Sequence, residues 1–195
     1  KHRPSFNPLI LHSGSLEQAG KYVTSFSKEA KLLAKKFWPG SLSILLPKSD
    51  LVPDVITAGS PYVVLRVPNN PLTLELLNKI DFPLAAPSAN ISNTVSPTEA
   101  NHVKNGLGDS VGYILDGGKC AVGLESTIVA IENNKVVILR EGGVSQEDIT
   151  RETGLSAVSE RTSCPGNRIG PDRCRPEFRG EAQCRYCTQR QSASS

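Results

Sequence analysis

Two pairs of polar residues, far apart in the sequence, have the types and spacing needed to bind a phosphorylated ligand. Lys1 and Arg3 flank one residue at the start of the chain, and Ser88 and Asn90 flank one residue near its middle. Side chains of an extended backbone alternate between two sides, so each pair is predicted to point in one direction. Two cations and two neutral hydrogen-bonding groups suit a polyphosphate. We therefore expect the two pairs to converge on one triphosphate pocket.

Apolar strands that alternate with amphipathic helices around these residues predict an α/β fold. Strands are predicted at residues 8–13, 42–47, 62–67, 83–86 and 113–116, with a hairpin formed by 126–131 and 136–140 across Asn133-Asn134. Helices are predicted at residues 16–37 with a break near 24–27, at 71–80, at 96–107 and at 145–152. The strand at 83–86 leads directly into Ser88 and Asn90, and it is expected to present them.

Arg66 lies inside the strand predicted at residues 62–67, among β-branched and aliphatic neighbours. A buried guanidinium is costly unless it is paired. Two interpretations are open: the side chain reaches an edge of the sheet and solvent, or it meets a bound anion. His12, at the end of the first predicted strand, is either a ligand contact or proton carrier, or a hydrogen-bonded structural histidine.

Ser96 opens the sequence Ser96-Pro97-Thr98-Glu99, which has the pattern of a capping box with Pro in the first helical position. The pattern predicts that the Ser96 hydroxyl caps the helix at 96–107. A helix N-terminus also presents free N–H groups to phosphates, so capping and anion binding are compatible interpretations of this serine.

Several other chemistries lack support in the sequence. No GxxxxGK[ST] pattern occurs, which excludes a Walker-type nucleotide site. Ser126 lies in GLEST and not in the G-x-S-x-G of a nucleophile elbow, so a serine hydrolase is excluded. Asp116 and Glu125 lie beside glycine-rich turns, where acids commonly cap or face solvent. The single CxxC, Cys184 to Cys187, falls short of the two tight pairs of a structural zinc site, so no metal ligands are predicted.

Charge and composition divide the 195-residue chain into a body and a tail. Residues 1–155 carry 15 Lys+Arg and 15 Asp+Glu, so the net charge of +3 arises from residues 156–195, with seven Arg and four acids. The tail is predicted to be disordered, after one catalytic domain at 1–155. The neutral body argues against a general nucleic-acid binder. No apolar run approaches the ~18 residues of a membrane span, so we expect a cytoplasmic or organellar protein without membrane contact.

Seven segments, taken in order along the chain, resemble one enzyme family. They are KHRPSFNPLILH, FWPGSLSILLP, VVLRVP, PLAAPSANISNTVSPTEA, ILDGG, GLESTIV and ILREGG, and they cover about residues 1–150. The set is similar to the YrdC-like family of threonylcarbamoyl-AMP synthases. The resemblance implies a twisted mixed sheet with flanking helices around a large, basic-lined central cavity.

The resemblance also implies an activity and its reactants. Members of the family are nucleotidyltransferases that form threonylcarbamoyl-adenylate and pyrophosphate from L-threonine, bicarbonate and ATP, with Mg²⁺ accompanying the nucleotide. A downstream transferase then moves the threonylcarbamoyl group to the adenosine beside the anticodon of certain tRNAs.

The motifs of the family imply specific site residues when they are carried over position by position. The implied catalytic residues are Lys1, Arg3, Ser88 and Asn90. The implied ATP contacts are Arg3, Asn7, Tyr62, Ser88, Ser96 and Arg140. The implied threonine contacts are His12, Arg66, Ser126 and the main chain of Ala86.

The chain departs from the family pattern at both ends. Family members carry an E-T-x-Y-G motif before the position of Lys1, and long members carry P-G-x-x-x-x-H-Y after the domain. The sequence shows neither, although Cys164-Pro165-Gly166 resembles the start of the second. The resemblance therefore leaves two outcomes open for the sequence as given, truncated before Lys1: an active synthase, or a fragment that binds weakly and is inactive.

Two other functions remain open from the sequence. An RNA-binding module would use the same concave surface without catalysis and would bind RNA weakly. A carbamoyl-adenylate domain of a hydrogenase-maturation enzyme would share the fold but use carbamoyl phosphate.

Overall fold

A seven-stranded sheet forms the centre of the computed structural model, which describes residues 7–92 and 94–159. Its strands are β1 (Ile10–His12), β2 (Leu42–Pro47), β3 (Tyr62–Arg66), β4 (Leu84–Ala86), β5 (Thr127–Glu132), β6 (Lys135–Arg140) and β7 (Ala157–Ser159). The predictions made for Lys1, for Arg3 and for the tail from residue 160 onward lie outside the described residues.

Helices connect these strands within the described ranges. They are α1 (Leu16–Gly20), α2 (Lys28–Phe37), α3 (Asp54–Thr57), α4 (Pro71–Lys79), α5 (Ala100–Leu107) and α6 (Gln146–Thr153), with a 3-10 turn at Gly108–Ser110. Side-chain oxygens of Ser15, Ser27, Asn70 and Ser145 accept a backbone N–H at the starts of α1, α2, α4 and α6. The cap at Ser27 explains the predicted break between α1 and α2, which is confirmed. None of the described helices is long and apolar enough to cross a membrane.

The sheet is mixed, in the order β4-β1-β3-β2-β5-β6-β7. β1 pairs with β3, β2 with β5, and β6 with β7 in parallel, whereas β1 with β4, β2 with β3, and β5 with β6 are antiparallel. The hairpin between β5 and β6 turns through Asn133 (φ 49°) and Asn134 (φ 61°), in the left-handed region that asparagine tolerates. The α/β prediction with a mixed sheet and flanking helices is confirmed.

The two faces of the sheet have different neighbours, as the alternation of side chains in β3 shows. Val63 and Leu65 are fully buried in a large apolar cluster that includes Leu33 of α2 and Ile149 of α6. Val64 points the other way, into a smaller cluster with residues of β2, β5 and β6. Arg66 is the next residue of β3 on that second face, so this face carries a charged side chain at the end of the strand.

Three predictions about local structure are wrong. Residues 113–116 are not a strand, and Tyr113 there is 96% exposed. Ser96 does not cap a helix, because α5 begins only at Ala100 after the N-cap residue Glu99. β4 ends at Ala86, so no strand holds the chain from Ser88 to residue 90 in the alternating extended form that was predicted.

The sheet extends past residue 155, where the sequence analysis placed the end of the domain. β7 pairs with β6 through Ala157, Val158 and Ser159. Its three residues are too few for a periodic pattern to be visible in the sequence, so only the pairing with β6 identifies them as a strand.

One buried hydroxyl generates a prediction about stability. Ser13 is fully buried, and within the described residues its Oγ is the buried side-chain polar atom that has no hydrogen-bond partner. Ser13→Ala is therefore expected to raise the free energy of unfolding by about 1 kcal/mol, since it removes an unsatisfied polar group. Urea denaturation with an unchanged m-value is the measurement.

Ser43 provides the matched control. It is equally buried, but its Oγ donates to Ser126 Oγ at 2.8 Å. Ser43→Ala is expected to lower stability by about 1 kcal/mol because it removes a satisfied hydrogen bond. Equal losses for both variants would contradict the assignment of Ser13 as unsatisfied.

Candidate functional site

One end of the sheet collects polar residues from four strands. β1 and β3 are parallel and end there together, with His12 directly opposite Arg66. β2 and β5 begin at the same end, since β2 runs antiparallel to β3 and parallel to β5, and Ser126 immediately precedes β5. β6 runs antiparallel to β5 and ends there at Arg140. The topology, and not closeness in sequence, brings these side chains together.

A cavity of about 730 Å³ opens at this end of the sheet. Eight of the predicted site residues line it: Asn7, His12, Arg66, Ala86, Ser88, Ser96, Ser126 and Arg140. The described residues thus place part of the predicted ATP set and the whole predicted threonine set around one space. The convergence of Lys1 and Arg3 on it stays a prediction, although Asn7, four residues after Arg3, is on the cavity wall.

Among the predicted site residues that the structure describes, two are not on the cavity wall. Tyr62 is at the opposite end of β3, about 13 Å from Arg66 at the usual rise per residue, and it packs against the smaller apolar cluster. Asn90 uses its amide within its own loop, where Nδ2 donates to Ile91 O at 3.0 Å and to Thr94 O at 2.7 Å. The loop that follows β4 therefore presents Ser88 to the cavity and uses Asn90 to hold its own shape.

Arg66 combines burial with a lack of charge compensation. Its Nε donates to Gly40 O at 2.8 Å, and no carboxylate of the described residues lies within ion-pair distance of it. Burial lowers the pKa of the guanidinium from its ordinary value. β3 lies between β1 and β2, so Arg66 is not on an edge strand, but it is the last residue of β3 and is half-buried on the cavity wall. Both interpretations therefore stay predictions: a side chain that reaches solvent through the cavity, or a cation that faces a bound anion.

His12 is held in one tautomer by the neighbouring strand. Its Nδ1 lies 3.3 Å from Leu84 O, and because a carbonyl can only accept, the neutral ring donates from Nδ1 in this contact; the ring also has a backbone hydrogen bond with Ile10. Burial, and then the positive charge of Arg66, lower the pKa of the imidazole below 6.5. The ring on the cavity wall is therefore neutral at pH 7 and able to accept a proton.

Ser126 is fixed by two donors. Its Oγ accepts from Ser43 Oγ at 2.8 Å and from Arg140 Nη2 at 3.0 Å. Arg140 also donates to Ser126 O, from Nη2 at 2.7 Å and from Nε at 3.1 Å. Because both lone pairs of the hydroxyl are used, the Ser126 O–H is left to donate. It suits an acceptor in the cavity, such as a carboxylate or carbamate oxygen.

Glu125 is a cavity residue that the sequence analysis interpreted as a capping or solvated acid. Its Oε1 accepts from Ser96 Oγ at 2.9 Å, and the cavity lies against both residues. Asp116 accepts the N–H of Gly118 at 2.9 Å within its own turn, as expected of an acid beside a glycine-rich turn. A glutamate directly before the polar Ser126 was the only available signal. Ser41, Thr73 and Lys119 were also missed, since isolated residues of these types carry no pattern.

A metal held by protein side chains alone does not fit this site. The described residues contain no group of three or more His, Cys, Asp or Glu that could hold an ion. Glu125 is the one carboxylate among the described residues of the cavity wall. That donor set fits Mg²⁺, which is usually bound by one or two carboxylates together with phosphate oxygens of a substrate.

Comparison with known proteins bears on the family of the chain. The sequence model of the family Sua5_yciO_yrdC, described as "Telomere recombination", matches residues 1–142. The chain belongs to the Sua5/YciO/YrdC family. The fold supports the assignment: the structure of Pyrococcus abyssi Sua5 complexed with L-threonine matches with a TM-score of 0.76 and 42% identity, over 81% of this chain and 47% of that chain.

Curated members of the Sua5/YciO/YrdC family carry an enzyme name. A threonylcarbamoyl-AMP synthase of Pyrococcus abyssi is 44% identical over 154 residues, which are 79% of this chain and 45% of that protein. A Bacillus subtilis protein of the same name is 40% identical over 174 residues, 85% of this chain and 50% of its own length. The chain thus spans about half the length of these curated relatives.

A close approach of two backbone segments generates a prediction about the site. A Cβ at Gly142 would overlap Glu125 O and lie 2.6 Å from the carbonyl carbon of Ser126, and backbone atoms cannot yield as a flexible side chain can. Gly142→Ala is expected to cost about 1–3 kcal/mol of stability and to displace Glu125 and Ser126. Urea denaturation and calorimetric ligand binding measure the two effects.

Gly106, within α5, serves as the control for that substitution. An added Cβ there meets nothing within 4 Å, and the residue is helical. Gly106→Ala should raise stability by about 0.5–1 kcal/mol and leave binding unchanged. A Gly142→Ala protein as stable as the wild type would show that the two segments can separate without cost.

Proposed function

We propose that the chain catalyses formation of threonylcarbamoyl-adenylate and pyrophosphate from L-threonine, bicarbonate and ATP. The observation that carries the proposal is Arg66, a half-buried cation without a carboxylate partner among the described residues, on the wall of a cavity of about 730 Å³. Such a cation suits the carboxylate of an amino acid, which it can bind through two parallel hydrogen bonds. The names of the relatives, and the threonine bound to one of them, support the same substrate.

The described residues divide into two groups around the proposed substrates. Arg66, His12 and Ser126 would surround the threonine, with the main chain of Ala86 beside it. Asn7, Ser88, Ser96 and Arg140 would contact the ATP, together with Lys1 and Arg3. Arg140 touches Ser126 and thus lies between the two groups, where the carbamate and the α-phosphate must meet.

The reaction requires no nucleophile from the protein. Threonine carbamate attacks the α-phosphorus of ATP through an oxygen, and pyrophosphate leaves. Catalysis then consists of orientation and of neutralising charge on the phosphates, the two effects that dominate phosphoryl transfer. A concave site also limits the access of water to the carbamate and to the mixed anhydride.

Mg²⁺ is proposed to enter with ATP. Glu125 would hold it together with the phosphates, and Ser96 would hold Glu125 through their hydrogen bond. The ion would supply positive charge to the leaving pyrophosphate. The resemblance to the family implies a downstream transferase that delivers the threonylcarbamoyl group of this unstable product to tRNA.

Pyrophosphate release tests this proposal. The 195-residue chain and the Pyrococcus abyssi relative, as positive control, are assayed with ATP, Mg²⁺, threonine and bicarbonate, omitting one reactant at a time. Release is expected only with the full set, because the carbamate is the nucleophile. Release that ignores threonine contradicts the proposal, as does RNA affinity that survives saturating ATP and falls steeply with salt, which is expected of an RNA-binding module.

Arg66 provides a test of substrate placement. Arg66→Ala is expected to weaken threonine binding about 10- to 100-fold, the worth of a charge-assisted hydrogen bond, while ATP binding stays within about twofold. Calorimetry with each ligand measures both. Arg151→Ala is the matched control, since Arg151 is exposed on α6 and pairs with Glu152 at 3.2 Å. A loss of ATP affinity equal to the loss of threonine affinity would place Arg66 at the nucleotide instead.

A further inference from the structure

The proposed reaction needs a base that the residue roles described so far do not supply. The α-amino group of an amino acid is mostly protonated at pH 7, with a pKa of about 8. Only the neutral amine has a lone pair with which to form the new N–C bond. One proton must therefore leave the ammonium before the carbamate can form. The following inference rests on the proposed function.

His12 is positioned for this proton transfer by its strand pairing with Arg66. The two residues are direct partners on neighbouring parallel strands, so their side chains lie on the same face of the sheet, with the strands about 4.8 Å apart. A threonine whose carboxylate is held by Arg66 has its amino group on the next carbon atom. Arg66 acts electrostatically on the His12 ring and both residues line the cavity, so an amino group on that carbon atom lies in the part of the cavity that His12 lines.

The hydrogen bonding of His12 leaves the appropriate nitrogen without a proton. Nδ1 donates to Leu84 O of β4, which fixes the ring and makes Nε2 the basic atom. Burial and Arg66 both lower the pKa of the ring, so the imidazole is in its neutral form at the pH of the reaction. The ring therefore meets the requirements of a general base in tautomer and charge.

The surroundings of His12 contain little else that titrates. Arg66 on β3 is the charged group that acts on it, and β4 (Leu84–Ala86) carries no titratable side chain. On α4, the cavity-lining residues Thr73 and Leu77 are uncharged, and the exposed pair of Glu75 and Lys79 is bonded to itself at 2.6 Å. Glu125 is the one carboxylate among the described residues of the cavity wall, and its Oε1 accepts from Ser96 Oγ.

We propose that His12 is a catalytic residue whose Nε2 accepts a proton from the threonine ammonium. The neutral amine then attacks the carbon of bicarbonate, the N–C bond forms, and water leaves, giving the carbamate with its single negative charge. The imidazolium returns its proton to solvent, because burial and the charge of Arg66 disfavour the charged ring. No oxidant or further reactant is needed.

The test compares the wild type with His12→Asn and His12→Gln. Asn can keep a donor near the position of Nδ1, so it retains the bond to Leu84 O but removes the base; Gln provides a second variant if the first folds poorly. Steady-state pyrophosphate release is measured against pH from about 6 to 9.5, and threonine affinity is measured by calorimetry. Circular dichroism checks that each variant is folded.

We expect the variants to lose about 10²- to 10⁴-fold in kcat at pH 7, a loss larger than any accompanying loss of threonine affinity. The deficit should shrink toward pH 9.5, where the amine loses its proton without help. A loss of threonine affinity that accounts for the whole loss of activity would overturn the proposal, because His12 would then only bind. So would a deficit that does not change with pH.

Failure of this inference differs from failure of the proposed function. If the function is wrong, the wild type itself shows no threonine-dependent pyrophosphate release. If only the base is wrong, the wild type is active and the variants keep its pH profile. Glu125→Gln, made in parallel, identifies the alternative: a pH-dependent deficit in that variant alone would assign the base to Glu125.

Discussion

The charge of Arg66 is the constraint on which the site depends. β3 is a central strand, so its last residue, Arg66, does not lie on an edge strand of the sheet. Among the described residues, the guanidinium donates to the carbonyl of Gly40 and has no carboxylate partner. A half-buried cation in this situation is costly, and an entering anion recovers part of that cost. Part of the free energy of anion binding at this site thus comes from compensating the charge of Arg66.

The fold was predictable wherever the pattern of the sequence and the packing agree. β2 and β3 are continuous apolar runs because both of their faces are covered, and their bounds differ from the prediction by at most one residue. The hairpin was recognisable from Asn133-Asn134, since asparagine is among the residues that tolerate a left-handed backbone. His12 and Arg66 stood out for a related reason, because each is a polar residue at the end of an apolar strand.

The errors arise where a local pattern competes with a contact that is distant in sequence. Ser96 has the letters of a capping residue, but its hydroxyl donates to Glu125, 29 residues away. Residues 113–116 have the composition of a strand but find no partner strand among the described residues. Glu125 was not predicted as a site residue, because its hydrogen bond with Ser96 forms only where the residues before β5 meet the loop after β4. The likeness of seven segments to one family supplied site residues that no pattern could have indicated.

The direction of β6 has a practical consequence for handling the protein. β6 begins beside the exposed turn at Asn133 and Asn134 and ends at Arg140 on the cavity wall. At the usual rise per residue the two ends of this strand are about 16 Å apart. A tether to a sensor surface attached at the turn would therefore leave the cavity open to ligands, which makes the turn a suitable anchor for immobilisation.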